Sequence, residues 1–176
     1  MTKKKTSSPS SSVDPATAYA LEVASGARVA GPDIRNACAR HLKDIKSGAK
    51  RGLKWDVEES NKAIRYFRNV LKLNGGEYEG KDFVLLPWQT FVVGSLFGWK
   101  AKDGTRRFRV AYVETGKGSG KSPLAAGIGL KGLTADGEAR AEIYAAATKK
   151  DQAMILFRDA VAMVQQSPEL TKRLTT

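Results

Sequence analysis

Apolar positions recur at helical spacing through the first half of the chain and gather into short continuous runs in the second. Asp14-Pro15 pairs a capping side chain with a proline suited to a first helical turn, and predicts a helix to about Ser25-Gly26. After Gly31-Pro32, the residues Ile34, Cys38, His41 and Ile45 recur at spacings of four, three and four, so they share one helix face. Residues 43–54 are basic and contain glycine, and read as a loop. Asp56 with Glu59 has capping-box spacing before a helix whose apolar stripe is Ile64, Phe67 and Leu71 and whose stop signal is Asn74-Gly75-Gly76. Residues 14–75 therefore read as a helical N-terminal region.

Beyond that region the pattern changes. Pro87 suits the start of a helix, and the apolar residues that follow it to Trp99 predict burial. Asp103-Gly104 and Asp136-Gly137 are turn signals. The runs 106–113 and 141–147 lack helical period and read as strands on either side of a helix over 124–130. Thr148, with Asp151 three residues on, predicts a capped helix with Ala153, Phe157, Ala160 and Val164 buried, and Ser167-Pro168 begins one more. The β-α-β-α order predicts an α/β fold built on a parallel sheet.

The connection between the first strand and its helix carries the chemistry. It reads Glu114-Thr115-Gly116-Lys117-Gly118-Ser119-Gly120-Lys121-Ser122. Glycines that reach positive φ let successive backbone N–H groups turn inward around an anion. The helix that follows aims its N-terminal dipole at the same place. In such a phosphate-binding loop Lys121 reaches the β- and γ-phosphates of a nucleotide and the Ser122 hydroxyl ligates Mg²⁺. The pattern departs from the usual one at Thr115, where a glycine is expected; Gly116 and Gly118 supply the flexibility. With this motif the fold prediction becomes a P-loop NTPase-type parallel sheet core, present in part over residues 76–176.

Charge extends the reading. The 176 residues carry 30 Lys and Arg against 18 Asp and Glu, a net charge of +12, which favours a polyanionic partner, nucleic acid first. Residues 1–13, with Lys3-Lys4-Lys5 among Ser and Pro, read as a disordered basic tail. A single cysteine, Cys38, excludes an internal disulfide and suits a reducing compartment. His41, the one histidine, reads as a satisfied, half-buried residue because no Cys/His cluster accompanies it. No apolar run approaches the roughly 20 residues of a membrane span. Gln89, upstream of the loop, offers a donor and an acceptor that match the N6/N7 edge of adenine.

Three blocks now carry a resemblance. Leu86-Pro87-Trp88-Gln89 with Gly94 to Trp99, Lys117-Gly118-Ser119-Gly120-Lys121-Ser122, and Ala145 to Ala153 resemble, in order and spacing, the N-terminal part of the large terminase subunit of tailed bacteriophages. That resemblance implies an ATPase that drives double-stranded DNA into a procapsid, with ATP and Mg²⁺ as ligands. It implies a homo-oligomeric ring on a portal, a small terminase subunit as partner, and the host cell cytoplasm as location. It assigns nucleotide contacts to Gln89, Trp88, Thr115, Gly116, Gly118, Ser119, Gly120, Lys121 and Ser122. Lys117 stands where the family often has a basic residue, usually arginine, facing the γ-phosphate, and delivers a point charge there without the bidentate fork. The family's acidic residues for Mg²⁺ and water, and its nuclease, are expected beyond Thr176, so the chain reads as a fragment that binds ATP and hydrolyses it poorly. A second reading is a non-catalytic basic module that binds nucleic acid and keeps a vestigial loop. A third, a small P-loop kinase, is disfavoured by the lack of an acceptor-site or lid motif.

Overall fold

The computed structural model describes residues 13–176, so the expected basic tail lies almost wholly outside the described residues. Helix α1 (Pro15–Ala24) starts where its cap predicts: Asp14 Oδ1 accepts from the Thr17 N–H at 3.0 Å. Helix α2 (Pro32–Ser47) runs through the segment expected to be a loop and passes directly into a 3₁₀ turn, Gly48–Arg51. Asp44 explains the extension. It is buried, and it pairs with Arg51 on the turn and with Arg107 at 2.6 Å, anchoring the helix end from within.

A two-residue strand β1 (Lys54–Trp55) leads to α3 (Val57–Val70), capped by Asp56 on the Glu59 N–H at 3.1 Å. Helix α3 stops earlier than Asn74 because Leu71 and Leu73 exchange helical bonds for cross-chain ones. Phe83 N donates to Leu71 O, and Leu73 N donates to Lys81 O. Helix α4 (Pro87–Gly98) is apolar on every side and sits at the centre of the fold. Two glycines one turn apart let it do so. A Cβ on Gly94 would lie 2.7 Å from the Ala16 Cβ, and one on Gly98 would lie 2.6 Å from the Trp55 ring. Strand β2 (Trp99–Lys100) follows. Helices α5 (Lys121–Ala135) and α6 (Lys150–Gln166) then pack against each other and onto α3 and α4. Among the described residues, no helix is long and apolar enough to cross a membrane.

The core has two parts. Ala16, Tyr19, Ala20, Val23, Cys38 and Phe91 join α1, α2 and one side of α4. Phe67, Leu71, Val93, Phe97, Leu124, Leu130 and Met163 join the other side of α4 to α3, α5 and α6. Trp88 touches both.

Several expectations are corrected. The parallel sheet is absent among the described residues; the sheet present is β1 against β2, antiparallel, with Lys54 opposite Lys100 and Trp55 opposite Trp99. Runs 108–113 and 141–147 have strand-like composition, but a strand exists only through a hydrogen-bonded neighbour. Neither run finds one here, and Val110, Tyr112 and Tyr144 stay more than four-fifths exposed. On α2, Cys38 and His41 are buried while Ile34 and Ile45 at the stripe's ends are each 42% exposed. On α6 the buried face is Leu156, Ala160, Met163 and Val164, and Phe157 points outward. Thr148 lies one residue outside the cap position, held by Lys149, and its hydroxyl donates to Gln152 Oε1. The last helix is reduced to turns over 167–174, started by buried Ser167, whose Oγ accepts from the Leu170 N–H at 3.3 Å.

Candidate functional site

The glycine-rich loop lies on the surface and ends on the axis of α5. Gly118 and Gly120 both adopt left-handed backbone, with φ of 80° and 79°, which a side chain would disfavour. Gly120 is the N-cap of α5, and Lys121, Ser122 and Pro123 form its first turn, where the missing proline N–H is not needed. The backbone N–H groups of Gly118, Gly120, Lys121 and Ser122 have no recorded backbone partner, while Lys117-Gly118 form a turn that draws the Ser119 N–H toward Gly116 O. Unpartnered donors around two left-handed glycines, at a positive helix terminus, are what an anion nest requires.

Lys121 folds back over this loop: its Nζ donates to Gly116 O at 3.0 Å and to Thr115 O. Its ammonium therefore stands at the loop's mouth, held by carbonyls that a phosphate oxygen can replace. Thr115, in the position expected for glycine, hydrogen-bonds through Oγ1 to Ser119 Oγ, and Ser119 Oγ also meets Gly116 O at 2.8 Å. The hydroxyl pair closes the loop's base from residue to residue plus four. Gly116 and Gly118 have no atom within 4 Å of where a Cβ would be, so the space above them is open. Lys117 is exposed at the tip, and Ser122 is half-buried in the second helical position.

Gln89 comes to the same place by another route. It is 2% exposed, in the first turn of α4, and its Oε1 accepts from the Leu86 N–H at 2.9 Å, the one side-chain bond of a capping box that a leucine N-cap allows. Its Nε2 lies 3.1 Å from where a Cβ on Gly120 would be. The amide thus bridges the start of α4 and the start of α5, with one end committed to backbone and the donor end facing the loop. Trp88 is a half-buried packing residue between the two core clusters. Of the two carboxylates nearest to candidacy, Glu114 is exposed and accepts from Tyr112 OH at 2.8 Å. Asp159 accepts from Asn74 Nδ2 at 3.1 Å and ties α6 to the chain after α3, which is a structural task.

A separate cleft of about 560 Å³ runs between α2, α4 and residues 107–113 and ends at Val113, short of the loop. Its floor is a closed polar chain. Trp99 Nε1 donates to His41 Nδ1 at 3.0 Å, His41 Nε2 meets Thr17 Oγ1 at 3.0 Å, and Thr17 Oγ1 donates to Asp14 Oδ2 at 2.6 Å. With both ring nitrogens engaged, His41 is satisfied as its sequence context predicts, but fully buried at 3% exposure where a half-buried ring was expected. Burial lowers its pKa to about 4, with Arg107 assisting and Asp14 and Asp44 opposing. Burial likewise raises the Cys38 thiol to about 11, an inert value.

Sequence reasoning missed two buried charges, Asp44 and Lys131, and the half-buried Arg107. Asp44 and Arg107 pair in the core, where the Arg107 guanidinium also covers the Trp99 ring at 5.1 Å. Lys131 is 3% exposed on α5, stacked 3.9 Å over the Phe97 ring and 3.3 Å from Asp136, and burial lowers its pKa. Lys131 falls seven residues after Leu124 on one helix face, a spacing that marks it as inward.

A family model described as "Terminase large subunit, ATPase domain" matches residues 87–175, from the first residue of α4 to the end of the turns after α6. The match takes in Gln89, the glycine-rich loop and both helices that follow. No curated protein and no solved structure matches the chain.

Proposed function

The chain belongs to the large terminase subunit family, through an ATPase-domain match over residues 87–175, and on that premise we propose that it is the ATP-binding part of a viral DNA-packaging motor. The observation that carries the reading is the loop itself: unpartnered N–H donors at the α5 terminus beneath a lysine held only by replaceable carbonyls.

The residues divide the work as follows. The N–H groups from Gly118 to Ser122 bind phosphate oxygens, and Gly116 and Thr115 shape the loop around them. Lys121 leaves the Thr115 and Gly116 carbonyls for the β- and γ-phosphates, exchanging neutral acceptors for charged ones, which strengthens its hydrogen bonds. Lys117, exposed at the tip, places a second positive charge toward the γ-phosphate. Ser122 offers its hydroxyl to Mg²⁺, which when bound neutralises phosphate charge. The Gln89 donor end and Trp88 face the base.

Hydrolysis, by in-line attack of water on the γ-phosphate, also needs a carboxylate to orient the water and another beside Mg²⁺. With Asp159 held by Asn74 and Glu114 by Tyr112, neither role is filled beside the loop. The chain alone therefore binds ATP and turns it over slowly. Duplex DNA, a ring of copies on a portal and a small terminase subunit are the partners this function entails, in the host cell cytoplasm. Steady-state phosphate release by the 176-residue chain, with Lys121→Ala as blank, tests this. Release indistinguishable from the blank, alongside ATP binding, supports it. Turnover near one per second that vanishes in the variant would place a complete catalytic site within these residues.

A further inference from the structure

One part of the fold sets positive charges directly against each other at a cost. β1 and β2 pair in a register that sets Lys54 directly opposite Lys100, and an adjoining bridge sets Lys100 opposite Arg106. Residues directly opposite in antiparallel strands share a face, and like charges there repel. The other face of the same ladder is apolar: Trp55 lies beside Trp99, with ring centroids 5.3 Å apart, over His41. The alternation leaves one aromatic side in the core and one basic side outward.

The neighbouring turn adds to the basic side. Gly52 (φ 73°) brings the 3₁₀ turn against the β2 turn so closely that a Cβ on Gly52 would lie 2.9 Å from the Lys102 Cβ. Lys50 on the 3₁₀ turn and Lys102 on the β2 turn are both exposed. Between residues 40 and 54 the chain carries Arg40, Lys43, Lys46, Lys50, Arg51 and Lys54 against the single carboxylate of Asp44, which is buried and already shared by Arg51 and Arg107. Arg106 is answered by Asp136, and Lys54 has Asp56 at 3.6 Å. On α3, by contrast, exposed cations are neutralised locally, where Lys62 meets Glu59 and Arg65 meets Glu58.

We propose that the ridge formed by Lys50, Lys54, Lys100 and Lys102 is a docking surface for the phosphate backbone of duplex DNA. The proposal rests on the DNA-facing reading above and adds where the contact is made, away from the glycine-rich loop. A row of lysines held side by side on strands from distant parts of the chain is a preset array of point charges. A polyanion relieves its repulsion and releases its own counterions on binding. Lysine suits the task, since backbone contact needs charge and reach without base-reading geometry.

The test uses the full chain and a 30-base-pair fluorescent duplex, followed by anisotropy across a salt series. The variants are Lys54→Gln/Lys100→Gln, Lys50→Gln/Lys102→Gln, all four together, and Lys62→Gln/Arg65→Gln as the control. The ridge variants should each bind at least about tenfold more weakly. Their salt slope should be shallower by roughly 0.9 for each phosphate contact removed, following counterion release. The control should match wild type. A melt of each variant accompanies the binding curve, since Lys54→Gln/Lys100→Gln removes the Lys54–Asp56 contact together with the like-charge pair, and weakened binding counts for the proposal only in variants folded at the assay temperature. ATP binding by the same variants should be unchanged, which separates this surface from the nucleotide site. Ridge variants that bind duplex as wild type does, with an unchanged salt slope, overturn the proposal. So does a wild-type chain that binds polyglutamate but not duplex at low salt, which would make the ridge a seat for an acidic protein.

Discussion

His41 shows how a single buried ring sets the chain's response to acid. It is 3% exposed, bonded at both nitrogens, and neutral until the pH falls to about 4. In the unfolded chain the same ring takes up a proton near 6.5. Between those values the unfolded state binds the extra proton, so stability falls as the pH drops from about 6.5 to about 4 and is unaffected above that window. Urea titrations at pH 7 and pH 4.5 should differ by about 2–3 kcal/mol from this source, since each unit of pKa shift is worth roughly 1.4 kcal/mol. That pH-dependent part should vanish in His41→Gln, whatever its baseline stability; an equal loss in the variant would assign the acid sensitivity to carboxylates. Gln89 permits a similarly sharp test, because its two ends do different things. Gln89→Glu keeps an acceptor for the Leu86 N–H and removes the donor facing Gly120. It should be less stable than wild type, since a carboxylate replaces an amide at a position only 2% exposed, and should lose preference for ATP over GTP in competition binding. An unchanged ATP-to-GTP ratio would leave Gln89 as a cap alone.

At the level of elements, α4 is the piece on which the others depend. Its two close approaches leave no room for a methyl group, at Gly94 against Ala16 and Ser60 and at Gly98 against the Trp55 ring. Gly94→Ala and Gly98→Ala should each destabilise by about 1–3 kcal/mol, typical of overpacking. Thermal melts should then fall by several degrees, roughly 2–4 °C per kcal/mol for a chain of this size. A melt unchanged in both variants would mean that α4 is not tightly clasped. These elements differ in how far they could be read beforehand. Helices α1, α3 and α4 were legible because Asp14-Pro15, Asp56 with Glu59, and Pro87 are local signals that need no distant partner. The α6 face was not, because Ala153 to Phe157 is apolar at five consecutive positions and periodicity cannot choose among them. The parallel sheet was misjudged because runs 108–113 and 141–147 have strand composition but no strand neighbour here. The loop from Thr115 to Ser122 was legible as a motif. Its Lys121 contact with the loop carbonyls, the Gln89 approach to Gly120 and the Lys54–Lys100 pairing were not, since each joins residues through folding.

At the scale of the whole molecule, the fold sets the starts of α4 and α5 side by side, with Gln89 on one and the glycine-rich loop on the other. Lys54 stands directly opposite Lys100 outside that site, with Lys50 and Lys102 exposed on the adjoining turns. Nucleotide capture by the loop is the claim on which the packaging reading stands, and it separates this chain from a basic module with a vestigial loop. The most direct measurement is the equilibrium affinity of the 176-residue chain for ATP with Mg²⁺, by calorimetry, for wild type, Lys121→Ala and Thr115→Val. Charged hydrogen bonds contribute about 1.5–3 kcal/mol each, so Lys121→Ala should weaken binding by about 10- to 100-fold. Thr115→Val, which removes the hydroxyl pair with Ser119 and leaves the N–H donors, should weaken it less. Wild-type binding that neither substitution alters, or no binding of ATP by the wild type, would contradict the account.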